Sequence, residues 1–537
     1  MSDGINLRGG PRRLGANLAR ALRLGFGGAA LRRGPSWVRV RLSGAVPELA
    51  PPAWLGGREP ELSLLDVLRV LDAARRDPDV AGVVLRLIGA PGGFARVESL
   101  RRAIAALRCE GKPVVVWSES LETRSLWLAS AASRVVIPPS GSVHLLGVRF
   151  EGFFLRDLLE RIGVRAEVLR VGDFKSAGEL LTRDGYSDEA RAQLEALADD
   201  LFEAMVRDVA AGRGLAPEAV RACVDRGLLP GAAAQEAGLV DACAYPDELV
   251  DQLGELAPAA QDGERPRLIA APVYLRLRAA DPGPRPLLTD LPRLVYVAAR
   301  GGISRGRGFR GIAADQYREL LEPLARRDDV MGVVLRVDSP GGEGVASDLL
   351  WRAVKRIGES KPVVVSMGDV AASGGYFLAA GADAILAEAT TLTGSIGVVG
   401  GKLDLSRLYE RVGVGRDAVE RGAQAGLQSE ARSFTPGERR ALRDELGALY
   451  ELFLERVAEG RGRSRDQIHA VAQGRVWSGA RALQQGLVDR LGGPLEALDE
   501  LRERAGLGAA ERVQIEVHPR MPRLPSLQDL IMGGFGE

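Results

Sequence analysis

The run Asp79-Val-Ala-Gly-Val-Val-Leu-Arg-Leu87 returns 250 residues later as Asp329-Val-Met-Gly-Val-Val-Leu-Arg-Val337. Both copies lead to Pro-Gly-Gly, at Pro91 and at Pro340. Lys112-Pro-Val-Val-Val116 then matches Lys361-Pro-Val-Val-Val365, and Leu158-Leu-Glu-Arg-Ile-Gly-Val164 matches Leu408-Tyr-Glu-Arg-Val-Gly-Val414. Gln235-Glu-Ala-Gly-Leu-Val-Asp241 is echoed by Gln484-Gln-Gly-Leu-Val-Asp489 with one residue deleted. A spacing held this steady makes the chain a tandem duplication.

Within each copy, short runs rich in Val and Leu alternate with helical patterns. Val80 to Leu87 and Val330 to Val337 are continuous rather than alternating, the pattern of strands covered on both faces. Each leads through a glycine turn and a helix to the Pro-Val-Val-Val strand, which predicts right-handed crossover units and an α/β fold. The segments Ser187 to Arg213 and Thr435 to Arg461 read as long amphipathic helices, each opened by a capping residue with acidic residues in its first turn. The expected organisation is a basic tail over 1–35, a first unit over 36–280, a linker over 281–289, a second unit over 290–518 and a tail over 519–537. The turn chemistry of Ala280-Asp-Pro-Gly-Pro-Arg-Pro286 marks the linker.

With 46% hydrophobic and 27% charged residues and a formal net charge of +1, the 537-residue chain has globular composition and no charge reason to bind nucleic acid. Cys109, Cys223 and Cys243 lack metal-ligand spacing and are expected to be small buried hydrophobes. No cofactor is implied. No window reaches the ~18 uninterrupted apolar residues of a membrane span. Leu14 to Leu31 is interrupted by Arg20 and Arg23 and preceded by Arg8, Arg12 and Arg13, a pattern suited either to peripheral contact with acidic lipid or to an unordered basic tail.

The chemistry concentrates in the second copy. The strand from Pro362 runs into Ser366-Met-Gly-Asp-Val-Ala-Ala-Ser-Gly-Gly-Tyr376, which sets Ser373 at a strand-to-helix junction where the Gly374 and Gly375 amides have no helical acceptor. Such amides stabilise developing negative charge. The loop Asp338-Ser-Pro-Gly-Gly342 offers a second set of approachable N–H groups, and together they suggest an oxyanion hole beside a serine. A serine at a helix start is also an ordinary capping residue. His144, His469 and His518 are the only histidines and none sits beside a triad motif; Ala371 breaks a Gly-x-Ser-x-Gly elbow. A serine without histidine needs another base, commonly a neutral lysine.

The chain writes nearly all its cations as arginine and keeps only Lys112, Lys175, Lys355, Lys361 and Lys402 as lysine. Arginine keeps its proton in a protein, whereas a desolvated lysine can lose one. Lys112 and Lys361 share a repeat position ahead of a strand, and Lys355 suits a helix surface. Lys175 lies in the glycine-bounded Arg170-Val-Gly-Asp-Phe-Lys-Ser-Ala-Gly178, where the second copy has Ala425.

Asp338-Ser-Pro-Gly-Gly342, Ala371-Ala-Ser-Gly-Gly-Tyr376, Leu392-Thr-Gly-Ser-Ile-Gly-Val398 and Val171-Gly-Asp-Phe-Lys-Ser-Ala177 closely resemble the signal peptide peptidase A, or protease IV, family in its long two-repeat bacterial form. The resemblance spans about residues 36 to 510. It implies a Clp-protease/crotonase-like fold in tandem, self-compartmentalising oligomers, and a membrane-associated serine endopeptidase that cleaves hydrophobic peptides such as remnant signal peptides. It further implies a Ser-Lys dyad with Ser373 as nucleophile, Lys175 from the other half as base and Ser395 supporting the lysine, while Gly341, Gly342 and Gly374 fall in the oxyanion and substrate-strand region. Two features depart from the family: the membrane anchor usual at this length is not found, which leaves a cytoplasmic location open, and Glu343-Gly344 follows the glycines. In the first copy Thr123 or Arg124 stands where Ser373 would be, without the glycines that follow it. The alternatives are a crotonase-fold acyl-CoA enzyme working through oxyanion amides and carboxylates, and an inactive membrane-associated scaffold.

Overall fold

The computed structural model describes residues 18, 35–51, 60–256, 266–279, 291–308, 310–508 and 511–520. The basic segment Leu14 to Leu31 apart from Leu18, the linker 281–289 and the chain beyond 520 lie outside the described residues.

Each copy of the repeated run is the heart of a parallel sheet. In the first, six strands lie in the order Arg267–Ala270, Ser36–Ser43, Val80–Ile88, Val114–Ser118, Arg134–Ile137, Ala242–Cys243, every pair parallel. The second sheet sets Gln514–His518, Arg293–Arg300, Val330–Ser339 and Val363–Ala372 side by side in the same sense. Past Val363–Ala372 it forks, to Ala384–Ala387 on one branch and Leu392–Gly394 on the other. Val333, Val334, Leu335 and Val337 are all buried, because helices cover both faces of the strand.

The two long helices start where the sequence puts their caps. The Ser187 side chain accepts from Ala190 N ahead of Asp188–Arg213, and Thr435 forms a capping box with Glu438 ahead of Pro436–Arg461. Gly214 and Gly462, at φ 66° and 59°, end them in the left-handed conformation that glycine adopts without a Cβ clash.

Contacts lock the halves together at several points. Arg165–Val171 of the first pairs antiparallel with Val398–Asp404 of the second, from Val171 opposite Val398 to Arg165 opposite Asp404. Elsewhere Glu48, from the first half, receives the Arg336 guanidinium of the second through both carboxylate oxygens, together with Arg96. Glu48 and Arg336 are 2% and 0% exposed, so each charge depends on the other for its partner.

The cysteines correct an expectation. Cys109, on the last turn of the helix Phe94–Cys109, is exposed, and Cys223 and Cys243 are half-buried at the margin of the first core. Helix periodicity rather than residue type decides the burial of Cys109.

Candidate active site

Ser373 sits between the strand Val363–Ala372 and the helix Gly374–Ala379 with φ 53° and ψ −119°. A non-glycine residue held at positive φ is strained and persists only where its surroundings impose it. Its position is that of an N-cap, yet its side chain makes no capping hydrogen bond. The hydroxyl instead faces Lys175 Nζ at 2.9 Å.

The glycines around it are required by close approach. A Cβ on Gly341, which has φ 99°, would stand 2.7 Å from Gly374 N and 2.8 Å from the Ser373 Cβ. One on Gly374 would strike the Ser347 hydroxyl and lie 3.2 Å from Gly342 N. In the loop, Ile303 N donates to Gly341 O at 2.9 Å and Glu343 N donates to Ile303 O at 3.0 Å. This parallel bridge turns the neighbours of Gly342 toward Ile303 and the Gly342 N–H away from it, onto the side where Gly374 begins its helix. The Gly341–Gly342 loop and the start of the Gly374 helix therefore lie against each other next to Ser373. The departure at Glu343 has a structural role: its side chain accepts from Ala346 N, caps the helix Gly344–Gly358 and pairs with Arg305.

Lys175 reaches this point from the other half. It is 5% exposed, and Nζ meets three oxygens: Ser373 Oγ at 2.9 Å, Ser395 O at 2.9 Å and Ser395 Oγ at 3.0 Å. A neutral amine has two N–H bonds and one lone pair. The Ser395 oxygens can take both N–H bonds, which leaves the lone pair for the Ser373 O–H. Burial is the cause that holds the lysine down at about 8, against an ordinary 10.5. Ser395 also has positive φ, 51°, and its N–H donates to Arg475 O at 2.7 Å.

The other lysines do structural work. Lys112 Nζ closes on the carbonyls of Ala74 and Asp77, and Lys361 Nζ donates to Arg327 O at 2.6 Å, the same staple in both copies. Lys355 pairs with Glu459 on the surface, and Lys402 donates to Ser429 O at 2.8 Å. The histidines bond elsewhere: His144 to Ser142 Oγ, His469 to Tyr450 and Gln473, His518 to Glu516.

In the first copy the corresponding position is closed. The Thr123 hydroxyl accepts from Leu146 N at 2.9 Å, and Arg124 donates to Gly92 O at 2.7 Å, into the loop that matches Gly341. Gly93 N, the counterpart of Gly342 N, donates to Asp369 Oδ2 at 3.2 Å, and Arg96 N donates to Asp369 Oδ1 at 3.0 Å. A carboxylate of the second half thus occupies these amides of the first.

Sequence reasoning missed this interlock and the seat of the lysine loop. Asp338 accepts from Arg96 at 2.9 Å and from Val370 N at 3.2 Å, which braces the strand end before Ser373. Its signal was an acidic residue ending a buried strand where the first copy has Ile88. Beneath Lys175, Phe174 N donates to Gln473 O at 2.9 Å, and a Cβ on Gly474, at φ 78°, would lie 2.6 Å from the Lys175 Cβ. Nothing in the repeat pattern marks that seat.

The sequence profile of Peptidase family S49 matches residues 106–259 and 355–508, once in each half. "Serine protease SPPA, chloroplastic" of Arabidopsis thaliana is 33% identical over 478 residues, covering 88% of this chain and 70% of its own. "Protease 4" of Haemophilus influenzae is 30% identical over 464 residues, covering 82% of this chain and 73% of its own. Among solved structures, a point mutant of ClpP1 from Listeria monocytogenes matches 38% of this chain and 94% of its own at 16% identity and a TM-score of 0.24. With one match in each half of a duplicated α/β chain, and relatives aligned along most of its length, the chain belongs to peptidase family S49, as a serine protease of the SppA type built from two repeated α/β units.

Proposed function

We propose that this serine protease is an endopeptidase that works through a Ser-Lys dyad, with Ser373 as nucleophile and Lys175 as general base. The observation that carries the reading is the 2.9 Å contact between a buried lysine and a serine that caps nothing. As Ser373 Oγ attacks the scissile carbonyl carbon, its proton passes to the Lys175 lone pair. The carbonyl oxygen becomes an oxyanion that the Gly374 and Gly342 N–H groups receive, with Gly341 shaping the loop. Lys175 then gives the proton to the departing amine, which leaves an acyl-enzyme on Ser373. A water, deprotonated by the same amine, attacks that ester and frees the serine. Ser395 keeps the amine aimed through both reactions.

Hydrophobic peptides, such as signal-peptide remnants, fit the surroundings. Val345 and Leu349, one helical turn apart beside the Gly341–Gly342 loop, are 48% and 37% exposed and offer an apolar wall. "Putative signal peptide peptidase SppA" of Enterococcus faecium, 33% identical over 195 residues, bears the matching name. The reading divides the chain into units over 36–280 and 290–518, the first giving the base and the second the nucleophile.

Association of several copies belongs to the same proposal. The ribbon Arg165–Val171 with Val398–Asp404 uses one strand from each half, and the repeat supplies counterparts of both, residues 148–154 and 415–421. Among the described residues neither counterpart is in a strand, and Phe153 and Val419 are 77% and 85% exposed. Pairing 415–421 of one copy with 148–154 of the next would repeat the internal joint between chains. Among the described residues no helix is long and apolar enough to cross a membrane. The Arg-rich segment from Arg8 to Arg23 supports peripheral membrane contact, and release by alkaline carbonate is its test. The dyad is tested with unstructured hydrophobic peptides on wild type, Ser373→Ala and Lys175→Arg: activity in either variant near the wild-type rate refutes it.

A further inference from the structure

A lysine that must give up its proton easily needs something that keeps its loop closed against water, and the loop here crosses from one half of the molecule to the other. At the crossing lies Gln193, in the second turn of the helix Asp188–Arg213 and 3% exposed. A buried primary amide is costly unless both its ends are bonded. Both are. Nε2 donates to Phe174 O and to Ser176 Oγ, each at 3.3 Å, which takes hold of the residues on either side of Lys175. Oε1 accepts from Val476 N at 3.1 Å.

Val476 is not an arbitrary neighbour. It lies directly opposite Gly394 in the antiparallel pairing of Leu392–Gly394 with Val476–Ser478. Gly394 O receives Ser373 N at 2.8 Å, Ser395 follows Gly394 in the chain, and Arg475, before Val476, receives Ser395 N through its carbonyl. One side chain therefore joins the two flanks of the base to the strand that positions both serines. The chemistry asks for glutamine in particular. Phe174 O can only accept and Val476 N can only donate, so an acid loses the first bond and an apolar isostere loses both. The charged groups around the loop are Asp173 within it, Arg170, which reaches Lys175 O at 3.4 Å and Glu179 at 2.8 Å, and Arg475, stacked between Phe174 and Trp477.

We infer that Gln193 is a positioning residue for the reaction, a gauge that fixes how far the Lys175 loop stands from Ser373 and Ser395 and keeps water from the amine. The inference rests on the Ser-Lys reading. Without the bridge the loop lifts, hydration returns the lysine toward its solution behaviour, and the amine sits out of line with the serine.

The test compares wild type, Gln193→Met, Gln193→Glu and Lys175→Ala in a peptide-cleavage assay from pH 6 to pH 10, with thermal melts alongside. For Gln193→Met we expect kcat to fall about ten- to a hundred-fold with KM within about twofold, the scale of an ångström-sized misplacement. The alkaline rise of kcat/KM should move up by about one pH unit as the amine is rehydrated. Gln193→Glu should move it further, since a carboxylate beside the loop favours the ammonium form. A structural role alone would lower the melting temperature and scale the rate down with the rise left in place, and that result overturns the inference. So do Gln193 variants with wild-type kcat and an unmoved rise while Lys175→Ala is inactive, a result that leaves the dyad standing. Activity in Lys175→Ala overturns both.

Discussion

Replacing Lys175 by methionine should make the protein inactive and more stable. Burial holds the lysine at about 8 when folded, whereas it titrates near 10.5 once the chain unfolds. Between those values the unfolded chain binds more protons than the folded one, so stability rises with pH across the interval and is lowest below pH 8. A difference of about 2.5 units is worth about 3 kcal/mol, which the wild type forgoes at neutral pH. Methionine has similar length and no charge to bury, but it leaves the Ser373 and Ser395 hydroxyls one partner short, at about 1 kcal/mol. The net gain is about 2 kcal/mol at pH 7, or roughly 4–8 °C in melting temperature at the scale of units this size. The same displacement makes about a tenth of the amine neutral at pH 7, where an ordinary lysine would have less than about a thousandth, so kcat/KM should climb about tenfold from pH 7 to pH 9. Melts of both proteins at pH 7, 8, 9 and 10 check the argument: the gap should close as pH rises past 8. A Lys175→Met protein less stable than wild type at pH 7, or a gap that ignores pH, refutes it.

Ser373→Ala should lose roughly ten-thousand-fold or more in kcat and all labelling by a fluorophosphonate, with assembly unchanged, and Lys175→Arg should be as inactive as Lys175→Ala because arginine keeps its proton. Glu48→Ala strands the Arg336 guanidinium in the interior and should cost about 3–5 kcal/mol by melting, with unfolding at wild-type temperature counting against it. Burial pushes the Glu48 carboxyl up, but Arg336 and Arg96 outweigh it and hold the group below its ordinary range; its contribution should vanish only as pH falls below about 4.5. Val419→Glu puts a charge on the free counterpart of the internal ribbon and should reduce the mass measured by light scattering; an unchanged oligomer places the interface elsewhere.

The parts legible in the sequence are those written locally. Val330 to Val337 announces a doubly covered strand because no residue there is spared for water, and Ser187 and Thr435 announce helices because caps and first-turn acids are adjacent in the chain. The rarity of lysine brought Lys175 forward before any geometry was known. What stayed hidden is non-local: the ribbon between residues 165–171 and 398–404, Asp369 in the amides of Gly93 and Arg96, and Gln193 between Phe174 and Val476. Each partner is an ordinary polar residue in its own segment, and only the docking of the halves gives it a role. The acyl-CoA alternative falls with the family match, which needed no geometry.

The division of Ser373 and Lys175 between halves has a consequence for how such a protease is made. During synthesis the segment bearing the lysine emerges first and folds with no nucleophile in reach, while nearly two hundred further residues separate it from the serine. On the Ser-Lys reading, a growing chain passes through the ribosome exit disarmed, and the ability to cut arrives as the last step of maturation, when the second half closes on the first.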